Sequence, residues 1–351
     1  MLISEKIKKI SIDSTVNILF ALKQMDKTRR RLLLVFNESK FIGLLSIGDI
    51  QRAIIKGIPL DSLIIDILKQ DPKIGFSDTT IGEIKNEMLK FRMEFMPIVD
   101  QNGNISNIHF WEDLFDVTNN LPVSQFSLPV VVMAGGVGTR LKPLTNVLPK
   151  PLIPIGEKTI LEDIFERFAN HGCNTFFVSV NYKADLIEYY IQNQHLPYEI
   201  HFFKEEKPMG TAGSLSLLKG QINDTFFVSN CDIIVEQDYS EILDYHRSNK
   251  NEITIVAALK HFPIAYGTIE TGENGRLLKL TEKPELTFKI NSGMYVLEPQ
   301  LLNEIPETEF FHITHLIEKI LARKGKVGVF PISEKSWKDI GNWEEYRNYF
   351  V

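Results

Sequence analysis

VVVMAGGVGTRLKPLTNVLPKPLIPIG, residues Val130 to Gly156, decides the fold of most of this chain. Its opening run, Val130 to Met133, is short and apolar and reads as a buried strand. Gly135, Gly136 and Gly138 follow at once, with Thr139 and Arg140 behind them. Glycines directly after a strand let backbone N–H groups approach a phosphate closely. Arg140 and Lys150 add two cations to the same segment, suited to phosphate oxygens. Two commoner phosphate loops do not fit. A Walker loop needs Gly-Lys-Ser/Thr, and Gly156-Glu157-Lys158-Thr159 breaks that order. A dinucleotide fingerprint needs a third glycine where Leu141 stands.

Outward from this stretch, apolar runs alternate with helical patterns. Leu161 to Asn170 predicts a helix with Leu161, Ile164, Phe165 and Phe168 on one face. Phe176–Val180 predicts a strand, Ala184–Gln192 a helix, and Ile200–Phe203 and Phe226–Ser229 two more strands. Such alternation predicts an α/β, Rossmann-like domain with a mostly parallel sheet and helices on both faces. Ligands bind such sheets at the carboxyl ends of their strands, where the Gly135–Arg140 loop falls.

The order Gly-Gly-x-Gly-Thr-Arg-Leu-x-Pro-Leu-Thr from Gly135 to Thr145, followed by Pro149-Lys150-Pro151-Leu152, resembles the sugar-1-phosphate nucleotidylyltransferases. The resemblance implies transfer of a nucleoside monophosphate from an NTP to a sugar-1-phosphate, with pyrophosphate released. It also assigns roles. Gly135, Gly136, Gly138 and Thr139 would cradle phosphates, and Arg140 would hold the departing ones. Lys150 and Lys283 would draw the attacking phosphate and the α-phosphate together. Gly210, Thr211 and Gly213, in Pro208-Met209-Gly210-Thr211-Ala212-Gly213, match the family's base-contacting stretch, with Met209 where the family has leucine. A helix capped by Thr211, with Gly213 packed closely, is the structural alternative.

Asp232, in Asn230-Cys231-Asp232, and Asp339, in Trp337-Lys338-Asp339-Ile340-Gly341, match the family's two Mg²⁺ ligands, although Cys231 replaces the usual small central residue. Carboxylate oxygens shared with substrate phosphates suit Mg²⁺. On the sugar side the matches are Gly267 of Tyr266-Gly267, Glu282 and Lys283 of Glu282-Lys283-Pro284, and Asn291 of the Asn-x-Gly-x-Tyr run. A hairpin is expected over Thr268–Lys279, turning at Glu273-Asn274-Gly275. Glu282-Lys283 alone would read as a solvated turn. His312 and His315 lack a third ligand and read as helix-surface or packing residues.

The first third repeats itself. Asp13-Ser14-Thr15-Val16 returns as Asp78-Thr79-Thr80-Ile81, and Gly48-Asp49-Ile50 as Glu112-Asp113-Leu114, about 64 residues apart. Each copy reads β-α-β-β-α, with first helices over Val16–Met25 and Ile81–Phe91 and second helices starting near Asp49 and Asp113. The duplicated unit resembles a pair of CBS modules. In that family a Ser/Thr-x-x-Asp element holds an adenine nucleotide's ribose and phosphate. Ser46 and Asp49 supply it in the first copy, whereas Phe110 to Asp113 lacks the hydroxyl. The alternative is that the aspartates only cap helices and the module serves dimerisation. The domains expected are repeats at 1–60 and 61–120, a linker at 121–128, and the nucleotidyltransferase domain at 129–351.

The bulk properties narrow the class. The chain has 351 residues, 44% of them apolar and 24% charged, as in an ordinary globular protein. A net charge of −6 argues against a nucleic acid partner. Two cysteines fit a reducing compartment without a disulfide framework. No secretory signal or membrane span is expected, so the location expected is cytoplasmic. The partners expected are an NTP, a sugar-1-phosphate, a regulatory nucleotide at the repeats and a second copy in a homodimer or higher oligomer. The fused repeats resemble guanylyltransferases of nonulosonic (legionaminic) acid pathways, which implies GTP and glucosamine-1-phosphate. Other sugar pyrophosphorylases, a choline-phosphate cytidylyltransferase and a non-catalytic nucleotide-binding protein are the alternatives.

Overall fold

A computed structural model describes residues 7–115, 123–307 and 309–350. The chain divides into two compact units, Met1–Pro122 and Val123–Val351.

In the N-terminal unit one order of elements occurs twice. Ser11–Asp13, helix Ile18–Thr28, Leu32–Asn37, Lys40–Ser46 and helix Ile47–Ile55 make the first copy. Gly75–Phe76, helix Ile81–Phe91, Phe95–Val99, Ile105–Phe110 and helix Trp111–Leu114 make the second. In both, the first strand pairs parallel with the second, which pairs antiparallel with the third. Caps set the helix starts. The Asn17 side chain accepts the Phe20 N–H at 2.8 Å. The first helix therefore begins at Ile18, two residues later than the apolar period suggested, because a short amide side chain bonds its own backbone in preference to continuing the turn. Thr80 and Glu83 form a reciprocal capping box at the matching place in the second copy. The copies are tied by an ion pair between Arg30 and Glu112 at 2.6 Å and by the Arg31 N–H on Glu94 Oε2 at 2.9 Å. Burial pushes the Glu94 carboxyl above its ordinary range.

The expected linker, 121–128, lies partly outside the described residues. Its later part packs against the C-terminal unit. The Phe126 N–H donates to the His171 carbonyl at 2.7 Å, and the Phe126 ring lies 5.7 Å from that of Phe227.

The C-terminal unit is built on seven strands: β1 Val130–Met133, β2 Thr175–Val180, β3 Glu199–Lys204, β4 Phe226–Asn230, β5 Ile253–Pro263, β6 Glu285–Leu297 and β7 Val327–Ser333. Their order across the sheet is β3-β2-β1-β4-β6-β5-β7. β6 alone runs against the others. β1 is buried on both faces, which is why it reads as an unbroken apolar run. On one face the helix Ile160–Ala169 buries Ile160, Leu161, Ile164, Phe165 and Phe168, with Phe227 of β4 beneath. On the other, Leu215, Leu218, Ile313, Leu316 and Ile320 cover Val131, Phe226 and Val228. The mostly parallel sheet with helices on both faces is thus the one expected. β5 and β6 outrun their neighbours, since β7 pairs only as far as Leu259 and β4 only as far as Met294. Past those points they form a two-stranded ribbon, from which the hairpin Thr268–Thr271/Leu277–Thr281 extends. Among the described residues no helix is long and apolar enough to cross a membrane.

Candidate active site

The site is assembled at the carboxyl ends of β1 and β4. After β1 the chain turns through Gly135 to Gly138. Gly138 has φ +68°, and a Cβ there would lie 2.8 Å from Thr145 Cγ2 and 3.2 Å from Lys150 Cβ. Only glycine fits this left-handed, crowded position. The Thr145 hydroxyl donates to the Gly138 carbonyl at 2.9 Å, folding the loop onto the Pro149-Lys150-Pro151 segment. A 3-10 turn, Thr139–Leu141, buries Leu141 and leaves Arg140 outward. Lys150 is 7% exposed.

Asp232 follows the end of β4. The short strand after it, Ile233–Val235, pairs antiparallel with Trp337–Asp339, setting Ile233 opposite Asp339. The Ile340 N–H closes the pair on the Asp232 carbonyl at 2.7 Å. This ladder joins segments remote in sequence and brings the two aspartates together. The Lys150 ammonium pairs directly with the Asp232 carboxylate. Arg140 lies 3.6 Å from Asp232 Oδ2 and 3.7 Å from Asp339 Oδ2. Gly341 backs the cluster: a Cβ there would stand 2.6 Å from Asp339 Oδ1, 2.7 Å from an Arg140 nitrogen and 2.9 Å from Asp232 Oδ2. Two carboxylates and two cations thus balance one another. Paired hard oxygens at the mouth of a phosphate loop are a donor set that fits Mg²⁺. Cys231, beside Asp232, is buried, and burial pushes its thiol up to about 12. It packs in the core and is protonated at neutral pH, so it is no nucleophile.

Glu205 joins this loop to the next. It is 6% exposed and accepts the Ser179 hydroxyl and, at 3.1 Å, the Met209 N–H. A Cβ on Gly135 would come within 3.0 Å of its Oε1. Sequence reading gave Glu205 no role, since an acid before Glu-Lys-Pro looks like part of a solvated charge run. Gly210 and Gly213 are demanded by the backbone of residues 309–311. A Cβ on Gly210 would lie 2.7 Å from the Phe311 carbonyl oxygen, and one on Gly213 2.7 Å from that of Glu309. The amides of Ala212 and Gly213 both donate to the Phe311 carbonyl. The Thr211 hydroxyl accepts the Ile313 N–H at 3.1 Å. It therefore caps the helix Ile313–Ala322, remote in sequence, and not the 3-10 turn Gly213–Leu218 that follows it. His312 and His315 close the same helix start, with the His312 N–H on His315 Nδ1 at 3.2 Å.

At the base of the hairpin Gly267 and Glu282 meet: a Cβ on Gly267 would lie 3.0 Å from Glu282 Oε2. Lys283 is exposed and takes φ +44°. Among the described residues no hydrogen bond or ion pair joins Lys283 to the Arg140–Lys150 cluster. Asn291 Oδ1 accepts the Gly293 N–H at 3.1 Å, and Gly293 sits against Asn230 at the end of β4. Because β6 runs against β4, its Asn291–Gly293 stretch arrives at the end of β4, beside Asn230. Gly136 and Thr139 are exposed on the loop rim.

In the N-terminal unit Ser46 caps the helix Ile47–Ile55 and shares a capping box with Asp49. Asp49 accepts the Ser46 N–H at 2.9 Å and the Ser46 hydroxyl at 2.6 Å, and meets Lys69 at 3.2 Å. Burial raises the Asp49 carboxyl, but the Ser46 bonds, Arg52 and Lys69 outweigh it and hold it below its usual range.

Residues 129–350, which carry the glycine-rich loop, the two cations and the two converging aspartates, match the family model described as nucleotidyl transferase. The chain belongs to that family. Residues 5–56 match the CBS domain model. Mannose-1-phosphate guanylyltransferase of Mycobacterium tuberculosis is 32% identical over 221 residues, 62% of each chain. The catalytic subunit beta of the enzyme of that name in Dictyostelium discoideum is 35% identical over 226 residues, again 62% of each chain. The chain thus spans about 62% of the length of these relatives. Among solved structures, HddC from Yersinia pseudotuberculosis, also solved with GMP-PN, aligns with a TM-score of 0.50 at 26% identity, covering 63% of this chain and 97% of that one.

Proposed function

We propose that the C-terminal unit transfers a guanylyl group from GTP to a hexose-1-phosphate, releasing pyrophosphate. The observation that carries this reading is the convergence of Arg140, Asp232 and Asp339 around Gly341, with Lys150 paired to Asp232. The acceptor's phosphate oxygen is itself a nucleophile, so the protein's task is positioning and charge stabilisation. Amides of Gly135 to Thr139 receive the nucleotide's phosphates, and Arg140 holds the departing pair. Lys150, released from Asp232, and Lys283, carried in on its loop, offset the repulsion between the two reacting phosphates. Asp232 and Asp339 would hold Mg²⁺, whose charge further offsets that of the phosphates. Glu282, Gly267 and Asn291 line the sugar, and the Gly210–Gly213 loop lies against the base.

GTP is supported by the names of the relatives and by the nucleotide in the HddC complex. Glucosamine-1-phosphate is the acceptor favoured by a CBS match ahead of the transferase domain. Mannose-1-phosphate is the second reading, favoured by the relatives themselves. Each NTP paired with glucosamine-1-phosphate, mannose-1-phosphate, heptose-1-phosphate and choline phosphate, with Mg²⁺ present and pyrophosphate measured, separates these readings. Silence across that panel sinks the enzyme reading, and turnover with choline phosphate alone replaces the acceptor. At the N-terminal unit, Ser46 and Asp49 are proposed to bind a regulatory adenine nucleotide. A Tm unmoved by AMP or ATP in the full chain would leave them as helix caps.

Gly341→Ala is expected to lower kcat at least about tenfold, because the new methyl displaces the two carboxylates from Arg140. Its Tm stays within a few degrees of the parent, as the residue lies at the cluster and outside the apolar core. Steady-state kinetics beside a melting curve checks both halves.

A further inference from the structure

The signature segment is held at both ends by residues outside every motif read from the sequence. Trp343 Nε1 donates to the Lys142 carbonyl at 2.8 Å. The Tyr346 hydroxyl donates to the Pro154 carbonyl at 3.1 Å. Both side chains stand on the helix Trp343–Phe350, three residues apart and hence on one face, with ring centroids 5.9 Å apart. Asn342 fixes where that helix starts, its Oδ1 accepting the Glu345 N–H at 3.0 Å. Only Ile340, Gly341 and Asn342 separate the helix from the strand bearing Asp339, and that turn is pinned by the Ile340 N–H on the Asp232 carbonyl at 2.7 Å and the Gly341 N–H on Asp339 Oδ1 at 2.8 Å. Between the gripped carbonyls runs the stretch that carries Lys150. Its middle is held from another side: Lys183 Nζ donates to the carbonyls of Asn146 and Val147 at 2.6 and 2.7 Å, and the Tyr182 hydroxyl to that of Thr145 at 3.3 Å.

We infer that Trp343, Tyr346 and Lys183 are positioning residues for the transfer reaction, forming a clasp that fixes Lys150 and the Gly135–Arg140 loop relative to Asp339. Lys150 is a long, rotamer-rich side chain whose placement depends on its backbone, and that backbone is a pair of single turns, Leu144–Val147 and Lys150–Leu152, among prolines at 143, 149, 151 and 154. A loop this irregular supplies little regular backbone pairing, so its carbonyls need side-chain donors. The three side chains of the clasp supply four such hydrogen bonds. Because the Trp343 helix continues from the Asp339 strand, it makes the position of Lys150 depend on the position of the second aspartate. Substrate phosphates then meet cations and carboxylates already in register.

The kinetic side of this inference rests on the transfer reading, whereas its structural side does not, and the test keeps them apart. Trp343→Phe retains the ring and removes the N–H; Lys183→Met retains the stem and removes the ammonium. In the full chain without substrate, hydrogen–deuterium exchange over residues 142–154 is expected to rise about tenfold in each variant, the worth of one or two hydrogen bonds. Exchange in β4 and in the helix Ile160–Ala169 stays unchanged. With GTP and the acceptor found active, kcat falls about tenfold in each, the KM for acceptor moves less than threefold, and Lys183→Arg restores most of the loss. Unchanged exchange over 142–154, or an equal rise throughout the unit, overturns the clasp whether or not the wild type turns over. Altered loop exchange with an unaltered kcat overturns the positioning role. A silent wild type with locally raised exchange in the variants would count against the transfer reading and leave the clasp standing.

Discussion

Asp232→Asn is expected to lower turnover by about 10³-fold while the protein remains folded. Asparagine keeps the shape of the side chain and one acceptor oxygen but not the charge. That charge has two partners in the structure, the buried Lys150 ammonium and the Arg140 guanidinium at 3.6 Å. Without it the carboxylate pair proposed to hold Mg²⁺ is reduced to Asp339, and the cluster gains a net positive charge. The cost to stability is about 1–3 kcal/mol, because Lys150 keeps a hydrogen-bond acceptor and loses a counter-charge. Pyrophosphate release at saturating substrate and a thermal melt check the two parts. A loss under tenfold in a variant that binds GTP normally would remove Asp232 from the catalytic machinery.

The second large effect concerns the frame that holds the site. Phe227→Ala is expected to destabilise the C-terminal unit by about 3–5 kcal/mol. Phe227 is fully buried on β4, the strand that leads directly into Asp232. Its ring meets Phe168 edge-on at 5.4 Å, stacks with Phe126 at 5.7 Å and approaches Tyr239 at 6.2 Å. Alanine leaves a cavity walled by three separate segments, those of Phe126, Phe168 and Tyr239, none of which moves inward without disturbing the others. Urea denaturation followed by tryptophan fluorescence reads the change, since two of the three tryptophans, Trp337 and Trp343, lie in that unit. A loss under 1 kcal/mol would mean that the aromatic cluster closes over the gap.

The parts of this molecule legible in its sequence are those fixed by local pattern. Val130–Met133 reads as a buried strand because helices cover both of its faces. The repeat reads as a repeat because an Asp-Ser/Thr-Thr run precedes the first helix of each copy, although Asn17 caps one helix and Thr80 the other. The parts that were not legible depend on contacts between segments remote in sequence. Nothing in Gly210 or Gly213 announces that the backbone of residues 309–311 lies against them. Thr211 has the signature of a cap, yet the helix it caps begins at Ile313. The reversed direction of β6 follows from its joining β5 through the ribbon and hairpin, and that reversal delivers Asn291 and Gly293 to the end of β4. The pairing of Ile233 with Asp339, which assembles the carboxylate pair, is written in no periodicity at all.

Both cysteines of the chain, Cys173 and Cys231, belong to the C-terminal unit. Burial lifts their thiols to about 11 and about 12. In the native state, then, neither sulfur is presented to an alkylating reagent, and neither ionises appreciably at neutral pH. Iodoacetamide is expected to label the protein only as fast as the C-terminal unit opens, and to remain blind to any opening of the N-terminal unit. The chain therefore contains its own chemical clock for one half of its structure. Labelling rates, set beside a signal from the whole chain, would show whether the two halves unfold together or in turn.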